Sequence, residues 1–386
     1  MKTVRILLII LTLLVGVSFI TGHGYIWGGI VETYFRGWKN SNIDDMEFRD
    51  LRALPASSNP SPWMAKNSLG LEMTPAEEAW HEEYMSASFL VLHADTLLFE
   101  KYWQGHDYTT LTNSFSASKS IVALAVGAAV TEGKINVNDV LADYLPRFAN
   151  EGGKGVTVQD VLQMRTHIPF GENYDNPFGF MAKAYYAGDI HELLEPYRVA
   201  DEPGVDWKYE GGNTMLLGEL MANLYNQNLS EYVEQRLWSP IGAQHDAFWG
   251  LDAPDDEGGV ERCFAAFYAT SRDFARFGKL INHQGNWNGT QLIDSTYIQE
   301  MVTPIADLTE ECDARHYGYQ IWLSETDEGL AFSCMEGLRG QMIISVPDLD
   351  LVVVRTGYKK NERKIGPFPT GIQDVLKMGR RILEAS

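Results

Sequence analysis

The chain has 386 residues, 45% hydrophobic and 22% charged, the balance of a globular protein with core enough for two domains or one large composite one. Its 52 acidic and 31 basic residues give a net charge of −21, a field that repels polyphosphates and excludes nucleic acid as an expected partner. The densest basic positions, Lys359-Lys360 and Arg363-Lys364, are too few to override it, and no repeat points to a solenoid.

Lys2 and Arg5 precede Ile6 to Ile20, fifteen residues without a charge. That is the layout of an exported chain's leader, with the N-terminus inside and the bulk outside. The small-x-small pattern of a cleavage site is poor around Val17 to Gly22. Tyr25 to Ile30 is apolar again, enough to extend the stretch toward the ~20 residues of a membrane span. Residues 1–30 are therefore read as a signal or anchor segment, with the anchor favoured and a buried N-terminal helix as the bland alternative.

Residues 31–85 carry no clear period and read as a linker and N-terminal extension, with a Pro/Ser stretch from Leu54 to Pro62. A helix start is expected at Thr74-Pro75, with Glu77 and Glu78 in its first turn. Phe89 to His93 and Thr96 to Trp103 read as strands of a hairpin turning at Ala94-Asp95.

Helices are then predicted over Ser116–Thr131, ending near Gly133, and over Thr157–Met164, Thr214–Tyr225, Ser230–Leu237 and Ser271–Ile281. Strands return at Gly318–Leu323, Gln341–Val346 and Leu351–Arg355, with Pro347 to Asp350 turning between the last two. An amphipathic helix, Ile372–Glu384, closes the chain. The simplest construction is α/β: residues 86–386 form one domain, its antiparallel sheet built from both chain ends and flanked by helices. A mainly helical insertion fills about 116–250, leaving a cleft where it meets the sheet.

Cys263, Cys312 and Cys334 are an odd, widely spaced set without a CxxC pair, which excludes a zinc finger or disulfide framework and leaves room for one disulfide. The nine histidines, among them His23, His81, His93 and His245, lack metal-ligand spacing. Gly-x-Ser-x-Gly, His-Glu-x-x-His, P-loop and dinucleotide patterns are absent, so neither metal nor cofactor is expected. Phe264, Phe267 and Phe274 read as core.

Three elements carry chemistry. Ser116-Ala-Ser-Lys119 opens a helix, so both side chains share one face, and the helix N-terminus favours an alkoxide. Lys119 serves as the base if burial lowers its pKa; the bland reading is an N-cap serine with an exposed lysine. Tyr209, just before a helix and after Glu202-Pro-Gly204, can relay a proton or simply pack the core. Glu336-Gly-Leu-Arg-Gly-Gln341 leads into a strand, where the amides of Leu338 and Ser116 can form an oxyanion hole or the segment can merely turn.

In order and spacing these elements resemble the serine beta-lactamase and penicillin-binding-protein superfamily, and most its class C-like branch with the 6-aminohexanoate-dimer hydrolases. The resemblance spans about Ala87 to Gly357. It includes Phe115 to Ser120, the Val156–Met164 text, Ser271 to Gly278 and Gly337 to Gln341. It implies Ser116 as nucleophile, Lys119 as base, Tyr209 as acid/base partner and the Ser116 and Leu338 amides as oxyanion hole. Two departures stand out. Tyr209-Glu210-Gly211 lacks the usual asparagine, and Met335-Glu336-Gly337 lacks the usual lysine that anchors a carboxylate, leaving Arg339 as a substitute anchor. Leu338-Arg339-Gly340 is a second, less fitting placement of that triplet and lacks the lysine equally. Both departures argue against penicillins and toward small esters, amides or peptides. Glu172 and Tyr174, with Asp175, mark a loop that binds substrate or merely turns, and Gly337 lets a ligand approach the backbone.

The expected function is hydrolysis of a small ester or amide through a Ser116 acyl-enzyme. A D-amino-acid peptidase or esterase of the cell envelope, and a non-catalytic envelope-binding protein, are the alternatives. The sequence does not set the oligomeric state.

Overall fold

The computed structural model describes residues 2–65, 70–150, 152–306, 316–365 and 368–386. Its main sheet joins the two ends of the chain. Seven strands lie in the order Trp322–Glu325, Ala331–Gly337, Gln341–Val346, Leu351–Gly357, Ser86–His93, Thr96–Tyr102 and Met64–Ala65. All neighbours are antiparallel except the last pair. The predicted hairpin turns at Ala94 and Asp95, both at positive φ, as a two-residue connection requires.

Alternation along the central strands divides the core. Phe89, Val91 and Val353 face the C-terminal helix Thr370–Glu384 through Ile372, Val375 and Leu376. Leu90, Leu92, Val352 and Val354 belong to the larger core on the other side, with Phe274 and Phe277 of the helix Ser271–Asn282. Strands buried on both faces are apolar throughout, which made these runs readable in sequence.

A second sheet was not foreseen. Asp50–Leu54 pairs with Ala247–Leu251, which pairs with Phe267–Thr270, which pairs with Leu111–Asn113. The stretch read as linker, residues 31–85, therefore contributes a strand to the domain. Its strand hides its pattern because Arg52 is buried as an ion pair, 2.6 Å from Glu261 and 2.6 Å from Asp255. The strand expected at Gly318–Leu323 also differs. Gln320 sits at φ 55 and spends its side chain on the carbonyls of Val161 and Leu162, so the chain loops there and the strand begins at Trp322. The helix expected over Ser230–Leu237 is α only from Leu229 to Val233 and continues as a π turn, Glu234–Trp238.

The helix Lys2–Ile20 is apolar over 19 residues and has no buried residue. Tyr25–Glu32 does not extend it but forms a separate helix packed on the domain, where Gly29 and Glu32 are buried. Cys263 and Cys334 are buried free thiols, and Cys312 lies outside the described residues.

Candidate active site

The second sheet feeds the candidate nucleophile. After the strand Leu111–Asn113 the Ser114 N–H donates to the Phe267 carbonyl at 2.8 Å, and Phe115 adopts φ 46. That is a costly conformation for a buried aromatic, of order 1–3 kcal/mol, and it is held because the Asn113 side-chain carbonyl accepts the Phe115 N–H at 2.8 Å. The sharp turn leaves Ser116 half-exposed at the head of a 3-10 turn, Phe115–Ala117, that runs into the helix Ser118–Thr131.

Lys119 lies one turn on, 1% exposed, and its Nζ donates to Ser116 Oγ at 2.9 Å and to the Phe264 carbonyl at 3.1 Å. Two aromatic rings also flank it, with Nζ 4.9 Å from the Tyr209 ring centre and 5.7 Å from that of Phe264. Burial lowers its pKa to about 8 against the opposing charge of Glu172. Roughly a tenth of such an amine is neutral at pH 7, so it can accept the Ser116 proton.

Tyr209 is packed by Trp322, stacked at 5.7 Å, and by Tyr317, edge-on at 5.9 Å. Burial first, then the charges of Glu172 and Glu336, push its pKa up, while a hydrogen bond with Ser116 pulls it down. The hydroxyl therefore keeps its proton near neutrality. Tyr209 is thus packed among aromatics and also hydrogen-bonded to the candidate nucleophile.

Opposite Ser116 stands the turn after the strand Ala331–Gly337. A Cβ on Gly337 would lie 2.0 Å from the Ser114 carbonyl oxygen, so only glycine lets the strand end abut the Ser116 turn. The Gly340 N–H closes the turn on the Gly337 carbonyl at 3.0 Å. Among the described residues the amides of Ser116 and Leu338 have no protein acceptor, and both residues line one cavity of about 450 Å³.

The structure joins Glu172 and Tyr174 to this site. Glu172 accepts the Tyr174 hydroxyl and, at 2.7 Å, the N–H of Gly211, the first residue of the helix Gly211–Tyr225. Reciprocally, Glu210 accepts the Gly171 N–H at 3.0 Å, so the two segments are stitched together. A Cβ on Gly211 would come within 3.4 Å of the Glu172 carboxylate and 3.3 Å of Phe264, so the carboxylate occupies the space where a longer side chain would project.

Arg339 is placed elsewhere, a correction to its expected role as carboxylate anchor. Its guanidinium donates to the carbonyls of Asn40, Ser41 and Tyr358 and lies 4.9 Å from the Trp38 ring centre, tying the turn to the N-terminal segment. A cation does approach the Met335-Glu336-Gly337 triplet from farther along the chain, as Lys360 bonds Glu336 at 3.1 Å.

Sequence reasoning missed three supports. Phe264, read as core, presents its carbonyl to Lys119. Arg355, fully buried on a central strand, donates to the carbonyls of Arg339 and Gly340 at 2.9 and 2.8 Å and braces the Leu338 turn from behind. Asp45 accepts from Asn113 at 2.9 Å, from Tyr185 at 2.5 Å and from Tyr268 at 2.7 Å, and Arg49 links it to Glu32. The one signal among these was Arg355 within the apolar run Leu351–Gly357; a backbone carbonyl at Phe264 and an aspartate in the polar stretch around Asp45 leave none.

Residues 77–362 match the family model described as Beta-lactamase. The chain belongs to the beta-lactamase family. Its members share a serine-hydrolase fold with the penicillin-binding proteins, and the protein is an enzyme of that class. It is 25% identical over 295 residues to 6-aminohexanoate-dimer hydrolase of Paenarthrobacter ureafaciens, covering 71% of this chain and 73% of that one. It is 25% identical over 190 residues to an Escherichia coli (strain K12) protein assigned as a D-alanyl-D-alanine carboxypeptidase, covering 43% of each. A Bacillus anthracis structure assigned as a 6-aminohexanoate-dimer hydrolase superposes with a TM-score of 0.70 at 19% identity over 93% of both chains, a likeness of fold. The beta-lactamase fold agrees with the α/β construction expected from sequence.

Proposed function

We propose that this protein hydrolyses ester or amide bonds of small substrates through an acyl-enzyme on Ser116. The observation that carries the reading is the buried Lys119 amine, 2.9 Å from Ser116 Oγ and lowered to about 8. In its neutral form Lys119 takes the Ser116 proton as Oγ bonds to the substrate carbonyl carbon. The N–H groups of Ser116 and Leu338 take the developing oxyanion. As the carbonyl re-forms, the C–O or C–N bond breaks and the leaving group gains the proton through Lys119 and Tyr209. Water, deprotonated by the same pair, then releases the acid and restores Ser116.

Beta-lactams are expected to be poor substrates, because Gly211 supplies no side-chain amide and Arg339 is committed to backbone carbonyls. A D-amino-acid peptide is the second reading. The Glu172 charge, felt by both Lys119 and Tyr209, favours a substrate ammonium near the nucleophile. The exposed apolar helix Lys2–Ile20 supports an extracytoplasmic enzyme held by an N-terminal anchor.

Intact mass after fluorophosphonate treatment tests the chemistry. One adduct on Ser116, lost in Ser116→Ala and formed slowly in Lys119→Ala, is expected. A folded wild-type protein that takes no adduct would overturn the reading. Aminohexanoate dimer, D-alanyl peptides and nitrocefin then divide the substrates, and rapid nitrocefin turnover would refute the beta-lactam expectation.

A further inference from the structure

The cavity at Ser116 has a wall that the catalytic residues do not explain. Tyr25, Ile26, Gly29 and Ile30 of the helix Tyr25–Glu32 line it, facing Met181 and Tyr185. That wall begins five positions after Ile20, where the exposed apolar helix ends, and Trp27 holds the two helices together by donating to Ser18 at 2.7 Å. A membrane around Lys2–Ile20 therefore has its interface at the cavity wall, and Tyr25, Trp27 and Tyr34 are the residue types that settle there.

Polarity is graded across the same cavity. Phe115, Met181, Tyr185 and Phe264 are buried, as are Thr33 and Ser41, whose hydroxyls are engaged with the Gly29 carbonyl and the Tyr186 hydroxyl, whereas Lys39, Asn40 and Asp175 are exposed at the rim. Beside that rim the surface carries Tyr34 at 64%, Phe35 at 79% and Phe178 at 59% exposure. Phe178 belongs to the same patch, since its neighbour Pro177 accepts the Tyr25 hydroxyl at 2.9 Å and its ring lies 5.4 Å from His23. Exposed aromatics next to a membrane span are a surface that lipid covers at little cost. A volume of about 450 Å³ is ample for a hydrocarbon chain with its head left at the rim.

We propose that the cavity is an acyl-chain site, and that the enzyme draws an ester or amide with an apolar tail from the membrane surface that anchors it. The proposal rests on the Ser116 chemistry above and assigns its substrate class. The tail enters between Ile26, Ile30 and Met181, the carbonyl reaches Ser116, and hydrolysis releases a fatty acid and a polar alcohol or amine.

The test uses the full chain in phosphatidylcholine vesicles with para-nitrophenyl esters from acetate to decanoate. For wild type, kcat/KM is expected to rise at least about tenfold from acetate to octanoate. Ile30→Trp and Met181→Trp, each checked for folding by thermal melt, are expected to bring the octanoate-to-acetate ratio toward one. A second arm dissolves 4-methylumbelliferyl palmitate in the vesicles. Hydrolysis is expected when enzyme and ester share a bilayer and to fall at least about tenfold when they occupy separate vesicles.

A flat chain-length profile in wild type, or a ratio unmoved by both substitutions in folded protein, overturns the acyl-chain site. Equal rates in shared and separate vesicles overturn delivery from the membrane. In either case a Ser116 fluorophosphonate adduct shows that the hydrolase reading has survived; its absence on folded wild type sinks both.

Discussion

At Lys119 a single side chain sets the pH behaviour of the proposed reaction. Burial lowers the ammonium to about 8, and the Ser116 hydroxyl and Phe264 carbonyl hold it in place. The reactive form is the neutral amine, so kcat/KM for an ester is expected to rise with pH and level off above about 8. Lys119→Arg keeps the charge but cannot deprotonate, and activity is expected to fall by roughly 10²–10⁴ at every pH. A flat profile from pH 6 to 9 with wild-type enzyme would show that another group takes the proton. Tyr209, whose pKa burial pushes up, is not expected to add a descending limb in this range.

Between elements, the site depends on a close approach and a buried network. Gly337 ends its strand against the Ser114 carbonyl, where a methyl would sit 2.0 Å from oxygen. Gly337→Ala must push the Leu338 turn away from Ser116. A loss of roughly 10²–10³ in kcat is expected, the scale of losing one oxyanion donor, with little change in KM; wild-type kcat would mean that the Leu338 amide plays no part. On the other side, Asp45 gathers Asn113, Tyr185 and Tyr268, and Arg49 bridges it to Glu32 at 2.6 Å. Burial raises the Glu32 pKa to about 7 against Arg49, with Asp45 adding to the rise. The folded state then keeps a proton that an unfolded glutamate loses above ~4.3, so this stabilisation is complete below that value and is lost as pH rises through about 7. The size is roughly 1–3 kcal/mol. Melting temperature should decline from pH 5 to pH 8 in wild type and decline less in Glu32→Gln; parallel declines would remove Glu32 as the source.

Across the whole molecule the N-terminal 50 residues divide into two parts with different work. Nothing in Lys2–Ile20 is buried, while Glu32, Asp45 and the strand Asp50–Leu54 are built into the domain. A chain lacking residues 2–22 is expected to be soluble, to melt within a few degrees of the full chain and to hydrolyse para-nitrophenyl acetate at a similar rate. Removing residues 2–49 should cost the fold or at least about 90% of activity, because Asn113, Tyr185 and Tyr268 lose Asp45 and a buried network loses its centre. An active, stable 50–386 fragment would show that the network is dispensable.

The four adjoining strands Gln341–Val346, Leu351–Gly357, Ser86–His93 and Thr96–Tyr102 and the Ser116–Lys119 pair were legible because they rest on local rules, whereas the strands Met64–Ala65 and Ala331–Gly337 went unread and Tyr209 read equally as a core aromatic. Fully apolar central strands, a small-residue helix and a serine one turn from a lysine announce themselves within a dozen residues. The supports were not legible, since each is a contact between segments far apart in the chain. Arg355 braces a turn 16 residues before it, Phe264 reaches Lys119 across 145 residues, and Asp45 meets Tyr268 across 223. Arg339 read as a substitute carboxylate anchor until the fold surrounded it with three carbonyls. Sequence by itself determined the family and offered Ser116 with Lys119 as the candidates for attack on a carbonyl. Only the tertiary structure decided their protonation and the shape of the cavity before them, because burial and the closeness of distant backbone exist only once the chain has packed.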